Sequence, residues 1–289
     1  MIDLHAHLLP GLDDGPSTVR DALEMARVAV AGGITTVVCT PHVIAKYPNR
    51  AEGIRAAADA FQAELDAAGI ALRVVPGAEI SLTVLGGLDD DELRGLSLGG
   101  SGWLLLELPF HGWPLRLPQL IGELEIRGFR VVLAHPERSE SVQLHPGRVQ
   151  ELVGRGALLQ ITAGSLTGDH GPRARQAARR LLRNHTVHLL ASDAHSATWR
   201  PPALAEGLSG AARVLRLDAD ELRWMVEDGP AEILAGGPVR PPRIGVPRPV
   251  TRTAPGADGP PRGARPERRH RGGPPQARPP RAGGRPRGR

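Results

Sequence analysis

Five of the chain's 11 histidines and four carboxylates share one kind of place in the sequence. Each closes or follows a short run of β-branched or leucine-rich residues. His5 and His7 follow Ile2–Leu4, with Asp14 in the loop beyond. His42 follows Thr35–Cys39, and Glu79 follows Leu72–Val75. Glu107 closes Trp103–Glu107, His135 follows Val131–Ala134, and Asp193 and His195 follow Val187–Ala191. Imidazole nitrogen and carboxylate oxygen without thiolate suit Mn²⁺, Fe²⁺ or Zn²⁺ better than Ca²⁺ or Cu⁺. Nine donors exceed the roughly four to six that one ion takes and suffice for about two or three ions sharing bridging carboxylates. A lone histidine at a strand end is ordinarily a solvated surface group. Five of them, each near a carboxylate, need another reason. The remaining six, His111, His145, His170, His185, His188 and His270, lie elsewhere.

Thiol chemistry is excluded by arithmetic. Cys39 is the single cysteine, so neither an intramolecular disulfide nor a cysteine-held zinc or iron–sulfur site can form. A cysteine phosphatase needs Arg six positions after its nucleophile, and six after Cys39 stands Ala45. Cys39 lies in an apolar run and reads as core.

The elements that must position the donors follow from periodicity. Candidate strands are the runs above together with Leu158–Ile161. Candidate helices are Ser17–Ala31, Ala51–Ala68, Asp90–Arg94, Arg116–Arg127, Pro146–Arg155, Arg173–Arg183, Ala203–Leu215 and Ala219–Val226. In the first helix Ala22, Met25, Ala26 and Ala29 share a face, Ser17 is the expected N-cap, and Gly32-Gly33 stops it. Alternating strands and helices predict parallel strands with right-handed crossovers. A doubly wound open sheet and a (β/α) barrel both fit that alternation. Sites form at the C-terminal edge in either fold, but only closure brings all the strand ends to one mouth. The nine donors therefore favour the barrel.

Composition divides the chain. Residues 237–289 carry 14 Arg, 14 Pro and 10 Gly against two acids, Asp258 and Glu267. That +12 exceeds the chain's total of +5 and leaves residues 1–236 at −7, so the basic pI belongs to the tail. The expected organisation is a folded body, 1–236, and a Pro/Arg/Gly-rich disordered tail, 237–289, that cannot bury enough apolar surface to order itself. Contact of the tail with anionic lipid or nucleic acid is the electrostatic expectation. No apolar run of 18 residues is present, so no transmembrane helix is expected. Met1-Ile2-Asp3-Leu4-His5 lacks the basic and long apolar segments of a signal peptide, which predicts a cytoplasmic protein.

Taken in order, the motifs resemble a known family. They are His5-Ala6-His7, Leu9-Pro10-Gly11-Leu12-Asp13-Asp14-Gly15, Thr40-Pro41-His42, Gly77-Ala78-Glu79, Leu106-Glu107-Leu108-Pro109, Ala134-His135-Pro136-Glu137-Arg138 and Ser192-Asp193-Ala194-His195. They are similar to the PHP (polymerase and histidinol phosphatase) superfamily. With Ala163-Gly164-Ser165-Leu166-Thr167-Gly168 they resemble its manganese-dependent protein-tyrosine phosphatases from bacterial capsule and exopolysaccharide systems. The resemblance spans residues 2 to about 235 and implies a distorted seven-stranded (β/α) barrel. It implies one ion on His5, His7, Glu79 and Asp193. A second would lie on Glu79, Glu107 and His135, and a third on Asp14, His42 and His195. Arg138 and Arg200 would grip the phosphate. Three positions depart from the family pattern: Ala6, where relatives often have Cys; Val43, where many have a second His; and Ser139, where an aromatic or amide is common. None is a ligand position.

The implied activity is hydrolysis of phosphotyrosine on a protein, with a bacterial tyrosine kinase as partner and a peripheral place at the membrane through that kinase. Clustered Mn²⁺, or Fe²⁺ or Zn²⁺, lowers the pKa of water toward neutrality and supplies hydroxide for in-line attack. Arginine forks suit a phosphate dianion. A tyrosine leaving group, with a pKa near 10, needs little protonation, and His42 is a candidate to supply it. Phe110 and Trp113 either stack on the phosphotyrosyl ring or pack as a lid. Glu137 is expected to orient Arg138, Asp13 to cap its loop, and His188 to pack. Two other activities share these metals: a phosphomonoesterase of small molecules, as with histidinol phosphate, and a metal-dependent nuclease.

Overall fold

The computed structural model describes residues 1–239. The expectations for the basic tail beyond them, disorder and contact with anionic lipid or nucleic acid, lie outside the described residues. Seven parallel staves follow one another in chain order. The first is β1 (Ile2–Ala6). The second is broken into β2 (Thr36–Cys39) and β3 (His42–Ile44), and β4 (Tyr47–Pro48) folds back antiparallel on β3. The third is broken into β5 (Arg73–Pro76) and β6 (Glu79–Ser81). Then come β7 (Trp103–Glu107), β8 (Arg130–Ala134), β9 (Leu158–Thr162) and β10 (Leu189–Ala191). The seam closes where the chain's first and last staves meet. Ala6 bridges Ala194, Asp193 N–H donates to His5 O at 2.8 Å, and His7 N–H donates to Ala194 O at 2.8 Å.

The broken staves have a local cause. Proline has no N–H for the ladder, and Pro41 interrupts the second stave. Beside it, a Cβ on Gly77 would lie 2.8 Å from Val38 Cγ1, so only glycine lets the third stave approach there. Past the break, pairing resumes with His42 directly opposite Glu79. These two residues do not trail their strands, as the sequence reading had it; they open new ones.

The outer layer is α1 (Val19–Ala31), α2 (Ala51–Ala67), α3 (Asp90–Leu96), α4 (Leu117–Ile126), α5 (Glu140–Leu144), α6 (Arg148–Gly154), α7 (Ala163–Thr167), α8 (Gly171–Arg183), α9 (Leu204–Leu215) and α10 (Asp228–Leu234). α1 buries Ala22, Met25, Ala26 and Ala29, the face periodicity named. Its N-cap is Thr18 rather than Ser17, and the Thr18 hydroxyl accepts the Asp21 N–H at 3.2 Å. The segment Ala219–Met225 is a 3₁₀ helix, closed by a reciprocal Asp218–Glu221 capping box.

One cluster takes a residue from every stave: Leu4, Val38, Val75, Leu105, Val132, Leu158 and Leu189. It is therefore the barrel interior. Leu98 and Ile233 of α10 close it at the N-terminal end of the strands, which leaves the opposite end for polar residues. At the closed end Trp103 Nε1 donates to Gly237 O at 3.1 Å and Val239 packs on the interior cluster.

Candidate metal centre

All nine donors meet at the open mouth. Their ligand atoms fall into four overlapping groups, within each of which all atoms lie within 4.8 Å of one another. The groups are His7, Asp14, His42 and His195; His5, His7 and Asp193; His5, Glu79 and His135; and His42, Glu79 and Glu107. Glu79 is the hub, fully buried. Its Oε2 lies 3.0 Å from His42 Nδ1, 3.3 Å from His5 Nε2 and 3.4 Å from His7 Nε2. Its Oε1 meets His135 Nε2 at 2.7 Å. The groupings differ from the implied partition in that His42 joins Glu79 and Glu107, and His7 joins Asp14, His42 and His195.

The donor set fits divalent ions on a direct observation. Glu79 Oε2, His42 Nδ1 and His195 Nε2 are buried and make no hydrogen bond, although other donors surround each of them. Buried polar atoms are ordinarily paired. Lone pairs converging on shared points without hydrogen bonds are the arrangement that ligands to a cation take.

Hydrogen bonds behind the cluster fix which ring nitrogen faces it. His5 Nδ1 donates to Gln160 Oε1 at 2.9 Å, His7 Nδ1 to Asp13 Oδ2 at 2.6 Å, and His195 Nδ1 to the Asp193 carbonyl at 3.0 Å. In each case Nε2 is left for the mouth. Asp13 also accepts the backbone N–H of His42 and of Gly15, so it ties three motifs together. Gly15 belongs there because a Cβ would meet His7 O at 2.5 Å. Asp3, buried under the site, accepts the N–H of His5 and of Ser192 across the seam. His135 and Asp193 have positive φ, 29° and 52°, a cost that clusters at functional positions.

Electrostatics favour the ligating form at Glu79, Asp193, Asp14 and His195 and oppose it at His7 and Glu107, where an ion would have to displace a proton. Burial opposes ionisation of Glu79, but His5 and His135 hold it well below the usual carboxylate range. Burial likewise opposes charge on Asp193, which the histidines with Arg200 and Arg138 overcome. The His195 hydrogen bond lowers Asp14. Burial and the charge of His7 push His195 down to about 4. On His7 burial is outweighed by the hydrogen bond to Asp13 and the negative charges of Asp13 and Glu79, which raise it to about 10. Burial and Glu79 push Glu107 up to about 7.

Arg138 Nη1 donates to Asp193 Oδ2 at 2.5 Å, and Arg200 Nη2 pairs with the same oxygen at 2.6 Å while donating to the Asp193 carbonyl at 3.0 Å. Glu137 does not touch Arg138 through a hydrogen bond; it accepts the Thr162 N–H and the Ser165 hydroxyl, which anchors the 163–168 segment. Phe110, 43% exposed, lies parallel to His135 with ring centroids 6.3 Å apart, and the Arg138 guanidinium is 5.1 Å from its ring. With Trp113 and Glu107 it lines a groove of about 470 Å³. Cys39 is fully buried in the apolar core, its thiol pushed far up by burial. His188 accepts the Leu159 N–H through Nδ1, a packing role. Three participants escaped sequence reasoning: Gln160, the orienting contact of Asp13, and His170. His170 was grouped with the remote histidines, yet burial and the charges of Arg138 and Arg200 at the mouth push it down to about 4. The one available signal was a glutamine inside the apolar run Leu158-Leu159-Gln160-Ile161.

A family model described as capsular polysaccharide synthesis, CpsB/CapC, matches residues 1–235. The chain belongs to the CpsB/CapC family. Within CpsB/CapC relatives, the tyrosine-protein phosphatase YwqE of Bacillus subtilis is 39% identical over 203 residues, covering 69% of this chain and 79% of that protein. The tyrosine-protein phosphatase CpsB of Streptococcus pneumoniae is 26% identical over 249 residues, 81% of this chain and 98% of that one. A crystal structure from work on YwqE and CpsB, described as metal-dependent tyrosine phosphatases, superposes with a TM-score of 0.76 at 34% identity. The match covers 84% of this chain and 98% of that one. A β-aspartyl dipeptidase of Fervidobacterium islandicum, at 16% identity and TM-score 0.52, shares the fold alone. No helix among the described residues is long and apolar enough to cross a membrane.

Proposed function

We propose that this chain hydrolyses phosphotyrosine on proteins, its target a bacterial tyrosine kinase that regulates capsular or exopolysaccharide synthesis. The observation that carries the reading is the nine-donor mouth with unpaired Glu79 Oε2 at its centre and two arginines at its edge. Membership of the CpsB/CapC family and the names of its relatives support the substrate. The ions are inferred to be Mn²⁺, two or three per chain, with Fe²⁺ or Zn²⁺ as alternatives of the same donor preference. His5, His7, Asp14, His42, Glu79, Glu107, His135, Asp193 and His195 would hold them. When bound, such ions bring the pKa of water toward neutrality and offset charge on phosphate oxygens.

The chain's own residues do the rest. Arg138 and Arg200 sit on one carboxylate oxygen of Asp193, so their remaining N–H groups are pre-positioned as a clamp for a phosphate dianion. His42 is the one histidine of the five that is not buried, which makes it the candidate to pass a proton to the departing phenolate. The half-exposed face of Phe110 offers the ring a stacking surface beside Glu107 and His135. The catalytic body is residues 1–236, with the basic tail as a separate segment. A cytoplasmic location, at the membrane through the kinase, follows from the partner.

The test is phosphate release by protein stripped of metal and reloaded with Mn²⁺, on phosphotyrosyl peptide, histidinol phosphate and single-stranded DNA in parallel. Preference for the peptide, abolished by chelator, is the expected result. Preference for histidinol phosphate or DNA would leave the metal centre standing and remove the substrate assignment.

A further inference from the structure

α8 differs in charge from the body that carries it. Its 13 residues include Arg173, Arg175, Arg179, Arg180 and Arg183 and no acid, on a body of net charge −7. Among the described residues none of these five guanidinium groups has an ion pair or a hydrogen bond, and Arg179 Nε is buried without a partner. Helix stability does not account for them. Arg180 and Arg183 in the last turn suit the helix dipole, but Arg173 and Arg175 near its positive end oppose it.

Their arrangement is a track. Arg175, Arg179 and Arg183 are spaced four apart and share one face. With Gly168, Gly171 and Arg180 they line an open groove of about 750 Å³. The helix that carries the track packs beside the catalytic mouth. His170, immediately before α8, feels the charges of Arg138 and Arg200, and α8 packs on the 136–138 turn that carries Arg138. From Arg175 to Arg183 the helix rises about 12 Å at 1.5 Å per residue. An extended peptide covers that in about four residues.

We propose that the α8 arginine stripe is a docking track for acidic residues flanking the target phosphotyrosine in a protein substrate. The proposal rests on the phosphotyrosine reading above. The surrounding negative body repels an acidic peptide from other paths, so the track selects both the substrate and the side of the tyrosine on which its acids lie. An anionic lipid surface is the competing occupant.

The experiment uses the full chain loaded with Mn²⁺. Three phosphotyrosyl peptides are compared, with four Asp/Glu residues before the tyrosine, four after it, or neutral residues on both sides. Phenyl phosphate is the reference without flanks. One acidic peptide should show a KM about tenfold below the neutral peptide at low salt, with kcat unchanged, and the advantage should fade toward 0.5 M NaCl. Arg175→Glu with Arg183→Glu, or the milder Gln pair, should erase that advantage and leave phenyl phosphate turnover as it was. Equal KM for all three peptides would overturn the track and leave the phosphotyrosine reading intact. No hydrolysis of any peptide would remove the reading itself, and the track with it. Sedimentation with phosphatidylglycerol vesicles that is lost in the double variant, with peptide KM values unaffected, would reassign the stripe to a membrane.

Discussion

Gln160 shows how much of a metal centre is decided one residue behind the ligands. Its amide oxygen holds the His5 Nδ1–H and leaves Nε2 for the mouth. Gln160→Leu keeps shape and removes the acceptor, so metal affinity should fall about 10- to 100-fold with the fold intact, read by competition with a chromophoric chelator. Cys39→Ser should keep kcat/KM within about threefold, whereas Asp193→Ala should lose at least about 100-fold in phosphate release and weaken metal retention. Inactivity of a folded Cys39→Ser protein would count against the metal mechanism. His188 gives a pH prediction away from the mouth. Burial pushes it down to about 4, below the ordinary value of 6.5. The folded state therefore prefers the neutral ring. Its share of stability is complete above 6.5 and is lost as pH falls toward 4, where the buried ring must take a proton. His188→Gln should flatten that part of the acid limb, measured as urea midpoints at pH 7 and 4.5. The donor residues were readable because histidines and carboxylates stood at strand ends. Gln160 and His170 were not, because an inward polar side chain and an outward one look alike without the closed barrel around them.

At the level of elements, packing distance explains what composition does not. A Cβ on Gly207 of α9 would lie 2.4 Å from the Ala163 Cβ at the start of α7. This contact seats the 163–168 segment, which Glu137 also anchors. Gly207→Val should push the two helices apart and cost about 1–3 kcal/mol in denaturant unfolding, despite the better helix propensity of valine. The long runs β7, β8 and β9 were legible to within a residue or so, since each is a continuous apolar stretch of strand length. The breaks at Pro41 and Gly77-Ala78 were not. β3 and β6 hold three residues each, too few for alternation to register, and Thr40-Pro41 reads as a stop where the chain in fact resumes. α5 and α7 were missed for a related reason: five residues barely exceed one helical turn.

Over the whole molecule, alternation of strands and helices left an open sheet and a barrel equally allowed, and the convergence of donors chose closure. The structure places that closure at the Ala6–Ala194 bridge, with ligands on both sides of the seam. Ions bound to the folded state alone should raise the melting temperature and make it depend on ion concentration. Loss of that dependence in Asp193→Ala, followed by calorimetry with and without chelator, would tie the shift to this site. The seam also orders events in time. The first stave emerges from the ribosome early and finds β2 soon after, yet its partner across the seam is about 190 residues away and appears only after every other stave. Such a nonlocal contact is slow to form. Until residues 189–195 are made, His5 and His7 have neither their edge nor Asp193 and His195. A nascent or prematurely terminated chain therefore lacks two of the nine donors, and the hydrolase is silent until its synthesis has passed that point.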